Sequence, residues 1–232
     1  MPQFSVEERA RISDGSSSTA IQGAVASVLR RRRVHAQTLI DVGCGNGHLS
    51  EHLRGMYARY IGADAIRHDG FPEGLDFVRA NLDAGTVALP EASGDVVACV
   101  ETIEHVENPR GLIRELTRLA CPGGWLVITT PNQLSLLSKI GLLLKNEFVH
   151  FQERPGLYPA HISALLEVDL VRMCRENLLE EIEVTYTGSG RVPLTRLEWP
   201  HPLQSHSGLR GRAFSDNVIV VARKPLKPLS AE

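Results

Sequence analysis

Aromatic residues, cysteine motifs and long apolar runs are all scarce in this 232-residue chain. Phe, Trp and Tyr together make up 5% of the sequence, and the four cysteines show no C-x-x-C spacing. Cysteines scattered in this way exclude a dithiol motif and favour reduced, packed thiols. No run reaches the ~18 apolar residues of a membrane span. The first residues, M-P-Q-F-S-V-E-E-R, carry charges where a signal peptide would be apolar, so we expect a cytoplasmic protein.

The chain also lacks an excess of either charge, since its formal net charge is −2 at pH 7. This balance provides no general attraction to nucleic acid, and no RNA-binding module is recognisable. Residues 30–33 form a local run of four arginines, which is typical of a solvated helix end. A chain of this length suits one substantial core, and therefore a single domain with additions.

Residues 38–50 form the most informative stretch, T-L-I-D-V-G-C-G-N-G-H-L-S. A short apolar strand closes with Asp41, glycine alternates at positions 43, 45 and 47, and a helical pattern follows. Glycine permits positive φ and lets backbone N–H groups approach a ligand. The spacing G-x-G-x-G differs from the dinucleotide fingerprint G-x-G-x-x-G and lacks the Lys-Ser/Thr of a P-loop, so it is weak evidence alone.

The motifs that follow strengthen the interpretation. A second short strand, Y-I-G-A-D, ends in Asp64, where a nucleotide-binding fold places a carboxylate for the ribose hydroxyls. Further on come G-D-V-V-A-C-V-E-T-I-E-H-V and C-P-G-G-W-L-V-I-T-T-P-N. Together with D-V-G-C-G-N-G, these segments resemble successive motifs of class I S-adenosylmethionine (SAM) methyltransferases. The resemblance covers residues 38–132 and is specific as a set.

Strands and helices alternate along the chain, which predicts an α/β fold with a doubly wound, Rossmann-like sheet and helices on both faces. The resemblance implies seven strands, mostly parallel, with an antiparallel last strand. We expect a flexible N-terminal arm over residues 1–18, one methyltransferase domain over 19–225 and a tail over 226–232. Within the domain, we expect an inserted acceptor lid at about 133–162 and a long loop at about 188–216.

Local signals predict where several helices begin. Thr19 is expected to cap a helix that runs to about Arg33, and Ser163 is expected to cap a later one. The helix after the glycine stretch is expected to run from His48 to Met56.

The resemblance implies that SAM binds over the carboxyl ends of the first strands. Family members usually carry an acid after the third strand, which accepts a hydrogen bond from the adenine amino group. This chain has Asn81 at that position and Asp83 two residues later, and either side chain has an oxygen that can accept such a bond. The residues expected to bind the cofactor are Asp41, Gly43, Cys44, Gly45, Gly47, Asp64, Asn81, Leu82 and Val100.

Glu101, Glu104 and His105 follow the fourth predicted strand in an E-x-x-E-H pattern, and His161 or His150 can converge on them from the later insertion. Carboxylates and imidazoles together suit Mg²⁺, Mn²⁺ or Zn²⁺. The pattern resembles that of ubiquinone-pathway O-methyltransferases and small-RNA 2′-O-methyltransferases, in which these side chains bind a metal. The resemblance implies a metal set of Glu101, Glu104, His105 and His161. In the metal-free alternative, His105 acts as a base or packs beside the cofactor.

The resemblance also implies in-line transfer of the SAM methyl group. A hydroxyl acceptor must lose its proton, and a neutral His105 or a metal assists this, so His105 and Glu104 are the expected catalytic residues. We expect a small hydroxyl acceptor: a glycan sugar, a lipid-linked precursor or a quinone-like phenol. The alternatives are metal-dependent 2′-O-methylation of RNA ends and SAM binding without catalysis.

An apolar segment, L-S-L-L-S-K-I-G-L-L-L, occupies residues 134–144. It is too short to span a bilayer. Three roles are open for it: an acceptor lid, a peripheral membrane contact or a dimer surface.

Overall fold

Seven strands pair side by side in one sheet, in the part of the chain that the computed structural model describes (residues 4–13, 15–152, 160–188 and 211–226). They are β1 (Ala36–Val42), β2 (Tyr57–Asp64), β3 (Asp76–Arg79), β4 (Gly94–Val100), β5 (Ala120–Pro131), β6 (Glu180–Tyr186) and β7 (Asn217–Arg223). Their order across the sheet is β3-β2-β1-β4-β5-β7-β6. Strands β1 to β5 pair in parallel, whereas β7 runs antiparallel to β5 and β6. The predicted doubly wound, mostly parallel sheet with an antiparallel last strand is confirmed.

Six α-helices flank these strands within the described residues. They are α1 (Val6–Ile12), α2 (Thr19–Arg31), α3 (Leu49–His52), α4 (Pro109–Leu119), α5 (Leu136–Lys145) and α6 (Glu167–Glu176). Short 3₁₀ turns occur at Leu82–Ala84, Ile103–His105 and Val149–Phe151. Side-chain caps explain where helices begin: for example, the Asn108 side chain accepts the N–H of Gly111, and Pro109 occupies the first turn of α4.

Each face of the sheet is covered by its own apolar cluster. Along β4, Val97 and Cys99 belong to one cluster, whereas Val96 and Ala98 belong to the other, as the alternation of side chains along a strand requires. Helices α4 and α6 contribute to the first cluster and α2 to the second. Because both faces of the sheet are covered, a ligand has access mainly to the strand ends.

The flexibility expected of the N-terminal arm, residues 1–18, stays a prediction. Its described part contains helix α1, which begins with a capping box: the Ser5 hydroxyl accepts the N–H of Glu8, and the Glu8 carboxylate accepts the N–H of Ser5. Arg9 is the one buried residue of this helix. The tertiary partners of Arg9 are far away in the sequence, so the polar composition of this segment does not indicate that Arg9 is buried.

Three predicted helix boundaries are corrected. Ser18, one residue before Thr19, provides the cap of α2 by accepting the N–H of Ile21. Helix α3 spans only Leu49–His52, because the chain turns into β2 soon afterwards. Ser163 caps no helix; its hydroxyl donates to the carbonyl of Val106 instead.

Three of the expected segments are only partly described. The predicted lid at residues 133–162 contains α5 and the 3₁₀ turn at Val149–Phe151, but residues 153–159 lie outside the described part. Most of the predicted loop at 188–216 and of the tail at 226–232 also lies outside it. None of the described helices combines the length and apolar character needed to cross a membrane.

The packing of α4 can be tested by substitution. Leu116 is fully buried in this helix, whereas Arg114 is exposed. We expect Leu116→Ala to lower the free energy of unfolding by about 2–5 kcal/mol, because the neighbouring side chains cannot fill the space that it leaves. Arg114→Ala should change this free energy by less than about 0.5 kcal/mol. Urea unfolding measures both values, and equal losses would contradict the packing of α4 on the sheet.

Candidate active site

A cavity of about 410 Å³ lies at the carboxyl ends of β1, β2 and β4. Ligands bind at this edge in open α/β sheets, and the volume suits a small organic ligand. The walls come from the glycine loop after β1, the turns after β2, β3 and β4, and the N-terminal segment. Seven of the nine residues expected to bind the cofactor line the cavity: Asp41, Gly43, Cys44, Gly45, Asp64, Leu82 and Val100.

The glycine loop requires glycine for two reasons. Gly43, Gly45 and Gly47 have φ values of 77°, 51° and 70°, which disfavour side chains. In addition, a Cβ on Gly43 would lie 2.1 Å from the Thr102 hydroxyl oxygen, and one on Gly45 would lie 2.1 Å from the carbonyl oxygen of Gly15. Two other segments of the chain therefore press directly against the loop. Gly47 itself faces the ring of Pro72 rather than the cavity.

Two carboxylates, the buried Asp41 and the half-buried Asp64, face the cavity. Asp41 accepts a hydrogen bond from the Tyr60 hydroxyl on Oδ2, while its Oδ1 is buried without a partner among the described residues. Burial raises the pKa of Asp41 to about 7, against the opposing effect of the Tyr60 hydrogen bond. Asp64 accepts the N–H groups of Gly45 at 2.8 Å and Ala65 at 2.6 Å, and burial raises its pKa as well. The pair suits a ligand that carries positive charge or hydroxyl groups.

The turn after β3 brings Asp83 to the cavity instead of Asn81. Asn81 is exposed, and its side-chain oxygen accepts the N–H of Asp83 at 3.0 Å and of Ala84 at 3.3 Å. Asp83 lines the cavity beside Leu82 and is ion-paired with Arg9. Asn81 is therefore a capping residue that does not line the cavity, and its expected contact with the cofactor stays a prediction.

Glu101 follows β4 in a left-handed conformation, with φ of 50°, and lines the cavity. Its Oε1 accepts a hydrogen bond from the Thr129 hydroxyl at 2.7 Å, and its Oε2 accepts one from the Asn217 amide at 2.6 Å. Burial raises the pKa of Glu101 to about 7, and the Thr129 hydrogen bond opposes this. Both carboxylate oxygens are thus already held by neighbours on β5 and β7.

The other three residues of the predicted metal set meet in space. Glu104, His105 and His161 each offer one ligand atom, and these atoms lie within 4.8 Å of one another. We call these three residues the Glu-His-His cluster. Glu101 is not grouped with these three, and its two oxygens accept hydrogen bonds from Thr129 and Asn217. Its place as a fourth ligand stays a prediction.

Backbone groups orient the cluster. The ring atom Nδ1 of His105 lies 2.9 Å from the carbonyl oxygen of Ala160, and Nδ1 of His161 lies 2.8 Å from that of His150. Since a carbonyl only accepts, each Nδ1 carries the proton, and Nε2 of each neutral ring keeps its lone pair. Glu104 accepts a hydrogen bond from Thr130 on Oε2, whereas its buried Oε1 has no partner among the described residues.

The buried position of the cluster sets its protonation. Burial lowers the pKa of His161 to about 3, and the neighbouring His105 adds to this effect. Burial also lowers the pKa of His105, although the carbonyls of Ala160 and Glu101 oppose it. Burial raises the pKa of Glu104 far above its ordinary value, and the charge of Glu101 adds to this. Both imidazoles are therefore neutral near pH 7, and a cation nearby would favour the ionised form of Glu104.

Several residues of the site were not apparent from the sequence. The N-terminal segment lines the cavity with Arg9, Ser13 and Gly15 among others, and Asn217 reaches the site from β7. No local pattern marks these residues.

Comparison with known sequences identifies the family. Residues 15–180 match a family described as a methyltransferase domain. The chain is 30% identical over 179 residues to a ubiquinone biosynthesis O-methyltransferase of Thiobacillus denitrificans, which covers 72% of this chain and 74% of the relative. It is 29% identical over 177 residues to the enzyme of that name from Albidiferax ferrireducens, covering 72% of this chain and 68% of the relative.

Solved structures share the fold. A SAM-dependent methyltransferase from Archaeoglobus fulgidus superimposes with a TM-score of 0.59 at 18% identity, covering 88% of this chain and 94% of the other. A 1,6-didemethyltoxoflavin-N1-methyltransferase from Burkholderia thailandensis, solved with S-adenosylhomocysteine bound, superimposes with a TM-score of 0.60 at 14% identity, covering 97% of this chain and 92% of the other.

The sheet order, the glycine loop with its two carboxylates and the matched family define one class of protein: the chain belongs to the methyltransferase-domain family and is a class I SAM-dependent methyltransferase. Its cofactor is SAM. The predicted class, cofactor and enzymatic nature are confirmed.

The close approach at Gly45 generates a prediction. In Gly45→Val, the new side chain would meet the carbonyl of Gly15, and we expect SAM affinity to fall by about tenfold or more, which corresponds to ~1.4 kcal/mol. Gly74→Val is the matched control, because Gly74 also has positive φ, at 83°, but an added Cβ there would meet no atom within 4 Å. Isothermal titration calorimetry measures both affinities. Similar losses in the two variants would mean that backbone strain alone explains the effect.

Proposed function

We propose that this methyltransferase transfers the SAM methyl group to a hydroxyl oxygen of a small acceptor. The observation that carries this proposal is the Glu-His-His cluster beside the cavity, with its two neutral imidazoles and its unpartnered carboxylate oxygen. A hydroxyl acceptor needs help in losing its proton, whereas an amine needs less. The relatives named O-methyltransferases support the same conclusion.

In this proposal, SAM occupies the part of the cavity that the glycine loop lines. The glycine loop lets the backbone approach it, Asp41 and Asp64 offer acceptor oxygens, and Leu82 and Val100 supply apolar wall. SAM supplies a methyl group that its sulfonium already activates. The chain therefore mainly has to orient the two reactants and exclude water around them.

The cluster also fits a divalent metal ion. Glu104 Oε1 is buried and has no hydrogen-bond partner in the described part of the chain. Each histidine donates Nδ1–H to a backbone carbonyl, an arrangement typical of histidines that bind a metal through Nε2. Two nitrogen ligands and one oxygen favour Zn²⁺ over Mg²⁺, which prefers oxygen. When bound, such an ion would lower the pKa of an acceptor hydroxyl. Glu104, His105 and His161 would hold it.

His105 has a second role that needs no metal. It lines the cavity, its tautomer is held by the Ala160 carbonyl, and burial lowers its pKa. A neutral Nε2 at this position accepts a proton from an acceptor hydroxyl.

The acceptor side of the cavity is polar among the described residues. His150 and Asn217 line it next to His161 and Glu101, respectively. A hydroxylated acceptor, either a sugar or a phenol, matches these donors and acceptors. The relatives are named ubiquinone biosynthesis O-methyltransferases, and this name favours a quinone-like phenol as the acceptor.

We further propose that residues 133–162 act as an acceptor lid. Helix α5 exposes Leu143 and Leu144, which retain 81% and 69% of their accessible surface. The chain then reaches His150, whose carbonyl orients His161, and the Phe151 ring lies 5.3 Å from the His161 ring. The same segment thus presents an apolar surface and orients one residue of the cluster. This connection favours an acceptor lid over a separate membrane or dimer surface.

The metal can be tested at Glu104. Elemental analysis of purified protein should find Zn²⁺ at about one ion per chain, and Glu104→Gln should weaken Zn²⁺ affinity by about tenfold or more (~1.4 kcal/mol), because it replaces the anionic ligand with a neutral one. Glu51→Gln removes an exposed carboxylate and should leave the affinity unchanged. Full turnover in chelator-treated protein would refute the metal and leave His105 as the base.

His105 is tested by substitution. We expect His105→Ala to bind SAM with nearly the wild-type affinity while turnover falls by about 10²-fold or more, because the variant loses both the proton acceptor and a ligand of the proposed metal. His35→Ala, which removes an exposed histidine, is the control. The assay uses radiolabelled SAM with a panel of catechols, simple sugars and short RNAs. Methylation of RNA alone would contradict the small acceptor, and unchanged turnover in His105→Ala would remove this residue from the mechanism.

A further inference from the structure

Helix α1 covers the cavity without belonging to the apolar core. Val6, Arg9 and Ala10 line the cavity from this helix, and Ser13 and Gly15 continue the lining beyond it. We call residues 6–13 together with Gly15 the strap. Arg9 is the one buried residue of α1, whereas Ile12 is 42% exposed. The strap is therefore held mainly by polar contacts.

The first of these contacts is an ion-pair bridge. Arg9 is 8% exposed. Its guanidinium forms an ion pair with Asp83, which follows β3, and a second one at 3.3 Å with Glu107, which lies two residues after His105. The N–H of Glu107 donates to Asp83 at 2.7 Å, which closes the network. A planar guanidinium suits two carboxylates at once. Arg9 thereby joins the strap to two turns that border the cavity.

The second contact lies at the glycine loop. The carbonyl of Gly15 accepts hydrogen bonds from the N–H of Asn46 at 2.8 Å and from the Asn46 side-chain amide at 3.1 Å. This is the carbonyl that an added Cβ on Gly45 would meet. The strap is thus attached to turns that border the cofactor site near its middle, at Arg9, and at its last residue, Gly15. A third pair, Glu7 with Arg79, is exposed and contributes little.

We propose that Arg9 is a positioning residue for the cofactor: it holds the strap closed over bound SAM or S-adenosylhomocysteine and aligns the turns that carry Asp83 and Glu107. A helix that is held by one buried arginine requires less free energy to open than an element of the apolar core. The strap opens to admit SAM and to release the product, and Arg9 limits the rate of that opening. This inference rests on the SAM site and not on the acceptor or on the metal.

The direct test is the rate at which S-adenosylhomocysteine leaves chelator-treated protein, measured by stopped-flow fluorescence with a fluorescent analogue as the displacing ligand. Arg9→Ala should release it at least about tenfold faster than the wild type, equivalent to ~1.4 kcal/mol. Arg9→Lys should show an intermediate rate, because an ammonium cannot bridge two carboxylates in the same way. Arg11→Ala, an exposed arginine of the same helix, should match the wild type. An unchanged release rate in Arg9→Ala, or an equal change in Arg11→Ala, would overturn the proposal.

Hydrogen exchange of the wild-type protein provides a test that does not depend on any variant. Saturating S-adenosylhomocysteine should slow amide exchange in α1 by about tenfold or more, because exchange there requires the strap to open. Exchange in α4, which packs in the core away from the cavity, should change little. Exchange in α1 that is the same with and without the ligand would refute the strap, whatever the acceptor proves to be.

Discussion

The contact between the glycine loop and the turn after β4 is the constraint on which the site depends. Parallel pairing of β1 with β4 ends both strands at the same edge of the sheet, and the Thr102 side chain then lies where a Cβ of Gly43 would have to be. The Thr102 hydroxyl also lies 3.3 Å from the carbonyl of Gly43. Any residue but glycine would push the two loops apart. Because this contact is so close, the glycine loop that borders the cofactor site lies next to the turn that leads into the Glu-His-His cluster.

The Glu-His-His cluster depends on a second contact, this time with a distant segment. The N–H groups of Ile162 and Ser163 both donate to the carbonyl of Glu104, at 2.9 and 3.0 Å. These bonds dock the segment that carries His161 onto the 3₁₀ turn that carries His105, and the two rings meet with centroids 4.7 Å apart. Neighbouring backbone carbonyls then select the tautomer of each ring. The chemistry of the cluster is thus set by backbone hydrogen bonds as much as by the side chains themselves.

Burial explains why the same site combines neutral and acidic groups. Asp41, Glu101 and Glu104 all have raised pKa values because desolvation disfavours their charged forms, and the two histidines have lowered pKa values for the same reason. A cationic cofactor near Asp41, or a metal ion near Glu104, would reverse this effect locally. The raised pKa values of these carboxyl groups mean that the site carries less negative charge than its composition indicates.

The sequence by itself determined the class of the protein and the architecture of its sheet, because glycine spacing, apolar strands and strand-terminal acids are local features that survive without tertiary context. It also marked Asp41, Asp64, Glu104 and His105, since each closes or follows a strand. Tertiary structure alone decided that Glu101 bonds to Thr129 and Asn217, that Asp83 reaches the cavity, and that Arg9 joins the site. These outcomes depend on partners between 28 and 116 residues away, and side-chain hydrogen bonds and ion pairs between such partners leave no periodic trace in the sequence.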